Sequence, residues 1–233
     1  MIVDGVRAVR ARIADACRRC GRPPESVRLI GVAKGRSAAQ VAELIAAGVT
    51  DVGENYIQEA QAQRASLGAR CPRVRWHAIG HLQRNKVRPA LASFDVIHTV
   101  DSPALATALD RQLALASTGS RQPLDVLVQV NVSGETTKSG VSPSAAPALV
   151  EAVRRLPRLR LIGCMTMAPV VETPAAARAC FEQLRRLRDT IDPALTELSM
   201  GMTDDFEAAI AEGSTMVRIG RAIFESREAA CDK

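Results

Sequence analysis

Short apolar runs alternate along this chain with stretches in which apolar residues recur every three to four positions. This switching between a two-residue and a 3.6-residue period predicts strands interleaved with helices. An opening helix is expected over about residues 3–20, stopped by Gly21 with Pro23 and Pro24 beyond it. The first buried strand follows at 27–34, and Ser37 with Gln40 makes a capping box for a helix that runs to Gly48. Further strands are expected at about 49–53, 75–80, 95–100, 124–132, 159–165, 195–200 and 215–219. Between them lie helical patterns at about 56–67, 84–92, 103–117, from 142, 174–189 and from 203, with a last helix after 219. Ser102-Pro103, Ser142-Pro143 and Thr173-Pro174 each read as an N-cap followed by a first-position proline.

Eight strands alternating with helices in one domain-sized chain predict a single (β/α)8 TIM barrel with an additional N-terminal helix, one domain over residues 1–233. A doubly wound open sheet would carry a glycine-rich first turn, which Ala33-Lys-Gly-Arg-Ser37 is not. Composition agrees, since 47% hydrophobic residues in 233 suffice for a full core. No run approaches eighteen apolar residues and the N-terminus lacks the build of a signal peptide, so a cytoplasmic protein with no membrane span is expected. Six scattered cysteines are expected to be reduced. Cys17 and Cys20 read as a continuation of the helix face formed by Val6, Val9 and Ile13. A net charge of +6 would suit an acidic ligand, yet 3% aromatic residues leave almost no stacking platform and the arginines are dispersed, which argues against nucleic acid. With three histidines and no suggestive carboxylate spacing, no metal site is expected; His77, His81 and His98 read as packing or hydrogen-bonding residues.

In such a barrel the working face is built from the C-terminal strand ends, and the polar residues collect there. The chain has four lysines among 31 cationic residues, so Lys34 at the end of the first apolar run stands out. Unlike arginine, a desolvated lysine can lose its proton and attack a carbonyl. Across the mouth, Ser199, Gly201, Gly220 and the helix start at Arg221 read as a phosphate cradle after strands 7 and 8. An amine facing a phosphate site suits a ligand with both an aldehyde and a phosphate, such as pyridoxal 5′-phosphate. A Schiff-base aldolase acting on a sugar phosphate fits the same description.

The blocks Gly53-Glu-Asn-Tyr-Ile-Gln-Glu59, Trp76-His-Ala-Ile-Gly-His-Leu-Gln-Arg-Asn-Lys86, Gln129-Val-Asn-Val-Ser-Gly-Glu-Thr-Thr-Lys-Ser-Gly140, Leu198-Ser-Met-Gly-Met-Thr-Asp-Asp205 and Glu212-Gly-Ser-Thr-Met-Val-Arg-Ile-Gly220 resemble the pyridoxal-phosphate homeostasis protein family. The resemblance runs from about Val27 to Phe224. It implies a barrel similar to the N-terminal domain of alanine racemase, holding pyridoxal 5′-phosphate with little or no turnover. Apo-enzymes that use the cofactor are the expected partners, and a monomer or weak dimer is the expected state. By position, Lys34 matches the Schiff-base lysine and Arg218 the residue facing the pyridine nitrogen. Ser199 and the backbone at Gly220 and Arg221 match phosphate contacts, Lys138 a second lysine near the site, and Asn55 a motif beside the cofactor. No catalytic residue is assigned. Where the family reads Ser-Lys-Thr-Lys-Pro, this chain has Ala33-Lys-Gly-Arg-Ser37, with Arg36 replacing the second lysine. The competing reading is a racemase-like enzyme, which needs a second acid/base group that no segment after Phe224 is expected to supply.

Overall fold

The computed structural model describes residues 1–68, 74–116, 123–135, 138–169 and 174–225. Cys71, Cys231 and the expected Thr173 cap lie outside these residues. Helix α1 (Ile2–Arg19) buries Val6, Val9, Ile13 and Cys17 on one face, with Asp4 in its first turn and Arg18 and Arg19 in its last, each sign complementing the helix dipole. Cys20 departs from expectation: it caps the helix and is exposed, so the apolar face ends at Cys17.

Eight parallel strands then alternate with helices: β1 (Arg28–Val32), α2 (Ala38–Ala46), β2 (Asp51–Glu54), α3 (Ile57–Leu67), β3 (Arg75–Ala78), α4 (Val87–Ser93), β4 (Val96–Val100) and α5 (Pro103–Ala116) in the first half. The second half holds β5 (Leu124–Gln129), α6 (Ala146–Arg154), β6 (Leu159–Met165), α7 (Pro174–Ile191), β7 (Glu197–Ser199), α8 (Phe206–Ala211), β8 (Met216–Ile219) and α9 (Arg221–Phe224). The sheet closes, β1 pairing with both β2 and β8, through Ile30↔Asp51 and Ile30↔Arg218. The capping box at Ser37 and Gln40 forms as expected.

Several boundaries move by two to four residues, and three of these shifts have a visible local reason. Strand β1 stops at Val32, so Lys34 sits in the following turn. Strand β5 stops at Gln129: Val130 still donates to the Met165 carbonyl at 2.9 Å but forms a bridge to Val141, and the Asn131 amide ties off the loop through the Glu135 and Lys138 carbonyls. Ser142 does accept the Ala145 N–H at 3.3 Å, but that bond closes only a turn, and α6 begins at Ala146.

Side chains alternate across each strand. Outward residues such as Val52, Trp76, Val126, Leu198 and Val217 join the main core beneath the helices, whereas Val96, Leu127 and Met165 form a separate cluster inside the barrel. Close packing explains two glycines. A Cβ on Gly163 would stand 1.8 Å from the Glu197 carbonyl oxygen, and one on Gly5 would stand 2.3 Å from that of Ile223, where α1 meets α9. The lower rim is a ring of ions. Asp125 accepts from Arg75 at 2.8 Å and from Arg160 at 2.9 Å, and Arg28 lies 3.7 Å from both Asp51 and Glu197.

Candidate ligand-binding cleft

A cavity of about 770 Å³ opens at the C-terminal ends of the strands, lined by Lys34, Asn55, Gln129, Thr203, Arg218 and Gly220 among others. That volume suits a small molecule. Lys34 stands at its edge on the turn after β1, and α3 clasps this turn. Glu59 accepts the Gly35 N–H at 2.8 Å, and the Gln63 amide donates to the carbonyls of Ala33 (3.4 Å) and Arg36 (3.2 Å). Gly35 has φ +69°, which a residue with a Cβ adopts only under strain. The Lys34 side chain is exposed, not desolvated as the sequence suggests. Behind it Glu54 is fully buried, and its Oε1 has no partner. Burial pushes this carboxyl up to about 7, with Glu59 adding to the rise; Gln63, the Asn55 N–H and Lys34 oppose it.

The floor is Arg218, 4% exposed, which donates Nη1 to Ser199 Oγ at 2.7 Å and Nη2 to the Thr166 carbonyl at 2.9 Å. Burial lowers its guanidinium to about 10, so it remains a cation at neutral pH. Two strands round the barrel from β1, the segment after β7 turns at Gly201 (φ +97°), where a Cβ would meet Ala209 and Phe206. Here Thr203 lines the cavity, its hydroxyl 3.5 Å from the Ala222 N–H, and Asp205 fixes the turn by accepting the Met202 N–H at 2.6 Å. Arg221 is ion-paired with Asp204. Four cations (Lys34, Arg36, Arg218, Arg221) against two carboxylates (Asp204, Asp205) leave the lining positive and suited to an anion. No cluster of metal-ligating side chains occurs among the described residues.

The family profile described as "Alanine racemase, N-terminal domain" matches residues 6–228. A pyridoxal phosphate homeostasis protein of Pseudomonas aeruginosa is 46% identical over 227 residues, covering 97% of this chain and 96% of its own. The chain belongs to the pyridoxal phosphate homeostasis protein family. Within it, the structure of PipY from Synechococcus elongatus with pyridoxal 5′-phosphate bound superposes with a TM-score of 0.82 at 35% identity, over 96% of this chain and all of that one. An alanine racemase from Corynebacterium glutamicum shares the fold, with a TM-score of 0.69 at 16% identity; this chain spans 64% of it.

For a member of this family, the residues expected at the site fall into two groups. Lys34, Asn55, Arg218, Gly220 and Arg221 all line the one cavity. Ser199 and Lys138 do not. Ser199 is fully buried beneath the floor, its hydroxyl engaged by Arg218 and by His98 at 2.9 Å. Lys138 pairs with Glu135 at 3.1 Å on the loop after β5, leaving its neighbour Ser139 to line the cleft. Helix α9, one turn long, supplies little dipole at Arg221. Three residues not expected at the site are found at or behind it: Thr203, Gln129 and Glu54. Gln129 donates to the Ser139 carbonyl at 2.9 Å, while its buried Oε1 is unpartnered at the cleft wall. For Thr203 the signal was present in Met200-Gly-Met-Thr203, where a second hydroxyl follows Ser199 across a glycine turn.

Proposed function

We propose that this protein binds pyridoxal 5′-phosphate in the cleft and serves intracellular homeostasis of that cofactor, holding it more than using it. The observation that carries this is the gathering of an amine, a buried guanidinium and a hydroxyl-bearing glycine turn around one positive cavity. The residues fit the cofactor. Lys34 offers the amine for the aldehyde, and Thr203 with the backbone at Gly201, Gly220 and Arg221 offers a cradle for the phosphate, where a Cβ on Gly220 would stand 3.4 Å from Val32. Arg218, at the cavity floor, is the residue that would face the ring nitrogen. Bound here, the cofactor supplies an electron-withdrawing ring. A guanidinium can only donate, so it leaves the ring nitrogen unprotonated and that withdrawal weak, whereas a carboxylate partner would strengthen it.

Asn55 and Gln129 present amides along the side walls, and Gln129 Oε1 is free to accept from a ligand hydroxyl. Lys138 acts outside the cleft, where its loop could pass the cofactor to or from solvent, and apo-enzymes are the proposed recipients. The whole chain is read as one domain acting in the cytoplasm as a monomer or weak dimer. The absence of any long apolar helix among the described residues agrees with a protein that does not cross a membrane by helices.

The test is borohydride reduction of the purified protein with the cofactor, followed by peptide mass spectrometry. A pyridoxyl group is expected on the peptide carrying Lys34, and Lys34→Ala should abolish it. An unmodified Lys34 under saturating cofactor, or label on Lys138 in the parent protein, would overturn the assignment. Incubation with L-alanine, read by chiral chromatography, should give no turnover above that of free cofactor.

A further inference from the structure

A chain of buried polar groups crosses the barrel below the cleft. Asp51 Oδ1 lies 2.9 Å from His77 Nε2, His77 Nδ1 lies 2.9 Å from His98 Nε2, and His98 Nδ1 lies 2.9 Å from Ser199 Oγ. Arg218 Nη1 completes it at 2.7 Å. Its members sit on β2, β3, β4, β7 and β8, so it links the lower ion ring to the cleft floor through the middle of the barrel. Among these groups only Asp51 (6%) and Arg218 (4%) retain any exposure.

The direction of every hydrogen bond in this chain is determined by its two ends. Asp51 is a carboxylate, held below its usual range by His77, Thr50 and Arg28 against the cost of burial. It can only accept, so His77 carries its hydrogen on Nε2. Both imidazoles are neutral: burial holds His77 and His98 down, the Asp51 carboxylate opposes this at His77 without overcoming it, and Arg28 and Arg75 act with burial on both. A neutral ring has one N–H, so His77 Nδ1 is bare and must accept from His98 Nε2–H. His98 Nδ1 is then bare in turn and accepts the Ser199 hydroxyl hydrogen. Ser199 has a single hydrogen, now spent, and its oxygen is left to accept from Arg218, which can only donate. Protonating either histidine would place a hydrogen on His98 Nδ1 and reverse its bond to Ser199, so the direction holds only while both rings are neutral.

We propose that Asp51, His77, His98 and Ser199 form a one-way hydrogen-bond relay that fixes the Arg218 guanidinium at the cleft floor and so positions it against the ring end of a bound pyridine ligand. They are positioning residues, since none but Arg218 lines the cleft. The second tether, Nη2 to the Thr166 carbonyl, prevents rotation and leaves the remaining N–H groups for the ligand. The ligand half of this proposal rests on the cofactor reading above.

Two measurements test it. Long-range proton–nitrogen correlation on histidine-labelled protein, without ligand, should show His77 and His98 as neutral Nε2–H tautomers at neutral pH; an Nδ1–H tautomer or an imidazolium at either position would overturn the relay. Second, pyridoxal 5′-phosphate is titrated into the parent, His98→Leu and His98→Gln, with folding checked by circular dichroism. Loss of both ring nitrogens in His98→Leu should weaken retention roughly tenfold and shift the pH titration of the bound cofactor's near-visible absorbance. Glutamine keeps one donor and one acceptor and should recover most of both effects. Should His98→Leu fail to fold, Ser199→Ala interrupts the same chain with a smaller cut and the same expected shift. A folded variant indistinguishable from a cofactor-binding parent would overturn the relay. A parent that takes up no cofactor would overturn the cleft reading and the ligand half of the proposal with it, a failure that the tautomer measurement does not produce.

Discussion

Lysine 34 was conspicuous in an arginine-rich chain because only a lysine can both lose its proton and form a carbonyl adduct. Its setting, however, came from groups distant in sequence: Glu59 and Gln63 hold its turn, and it stands exposed at the cleft edge rather than desolvated. Serine 199 illustrates the opposite outcome. It was the hydroxyl nearest the strand end, but the alternation of β7 turns it inward, and the next hydroxyl past the glycine turn, Thr203, lines the cleft. Period-two alternation was readable; which residue ended the strand was not. Thr203→Val keeps the shape and removes the hydroxyl, so equilibrium dialysis should show pyridoxal 5′-phosphate retained roughly tenfold less tightly, the scale of one charge-assisted hydrogen bond. Retention equal to the parent's would return the phosphate to other contacts.

At the scale of elements, the β2–α3 unit carries a built-in pH response. The Glu54 carboxyl rises from 4.5 to about 7 on folding because the strand end buries it against α3. Between these two values the folded protein binds more protons than the unfolded one, so this group's contribution falls as pH rises through that window. At pH 8 the loss amounts to roughly 3 kcal/mol, and below pH 4.5 it vanishes. Thermal melts should therefore show Glu54→Gln gaining on the parent between pH 5 and pH 8; parallel curves would contradict the shift. The β6–β7 contact predicts the reverse kind of effect. Gly163→Ala drives a methyl into the Glu197 carbonyl, and denaturant titration should show about 3 kcal/mol lost, or no folded protein. Helix α6 shows why boundaries were harder to read than elements. Ser142-Pro143 has the chemistry of a helix start, and that chemistry serves a turn equally well.

Over the whole molecule, closure of the barrel is what turns separate strand ends into one site. Register pairs Ile30 with both Asp51 and Arg218, which brings the first, second and eighth strands together although their residues lie up to 188 positions apart. Helix α1 stands outside this eightfold scheme and packs against α2, α8 and α9 through Val6, Val9 and Ile13. Because α9 follows directly on the Gly220–Arg221 wall of the cleft, its packing supports the site indirectly. Ile13→Ala should cost about 2–4 kcal/mol in global stability, measured by urea unfolding, while cofactor retention by the folded fraction stays unchanged. A loss of retention without loss of stability would place α1 in the site itself.

The sequence by itself determined the eight strand–helix units, the capping box at Ser37, the closed barrel and the strand-end face that carries Lys34, Asn55, Arg218, Gly220 and Arg221. Each follows from periodicity or from chemistry within a few residues. Only the tertiary structure decided that Ser199 faces inward, that Lys138 turns to Glu135, that Thr203 and Gln129 line the cleft, and that His77 and His98 join Asp51 to Arg218. These depend on which side chains oppose one another across a closed sheet. That pairing is set by strand register and barrel curvature, and neither is written in any one stretch of chain.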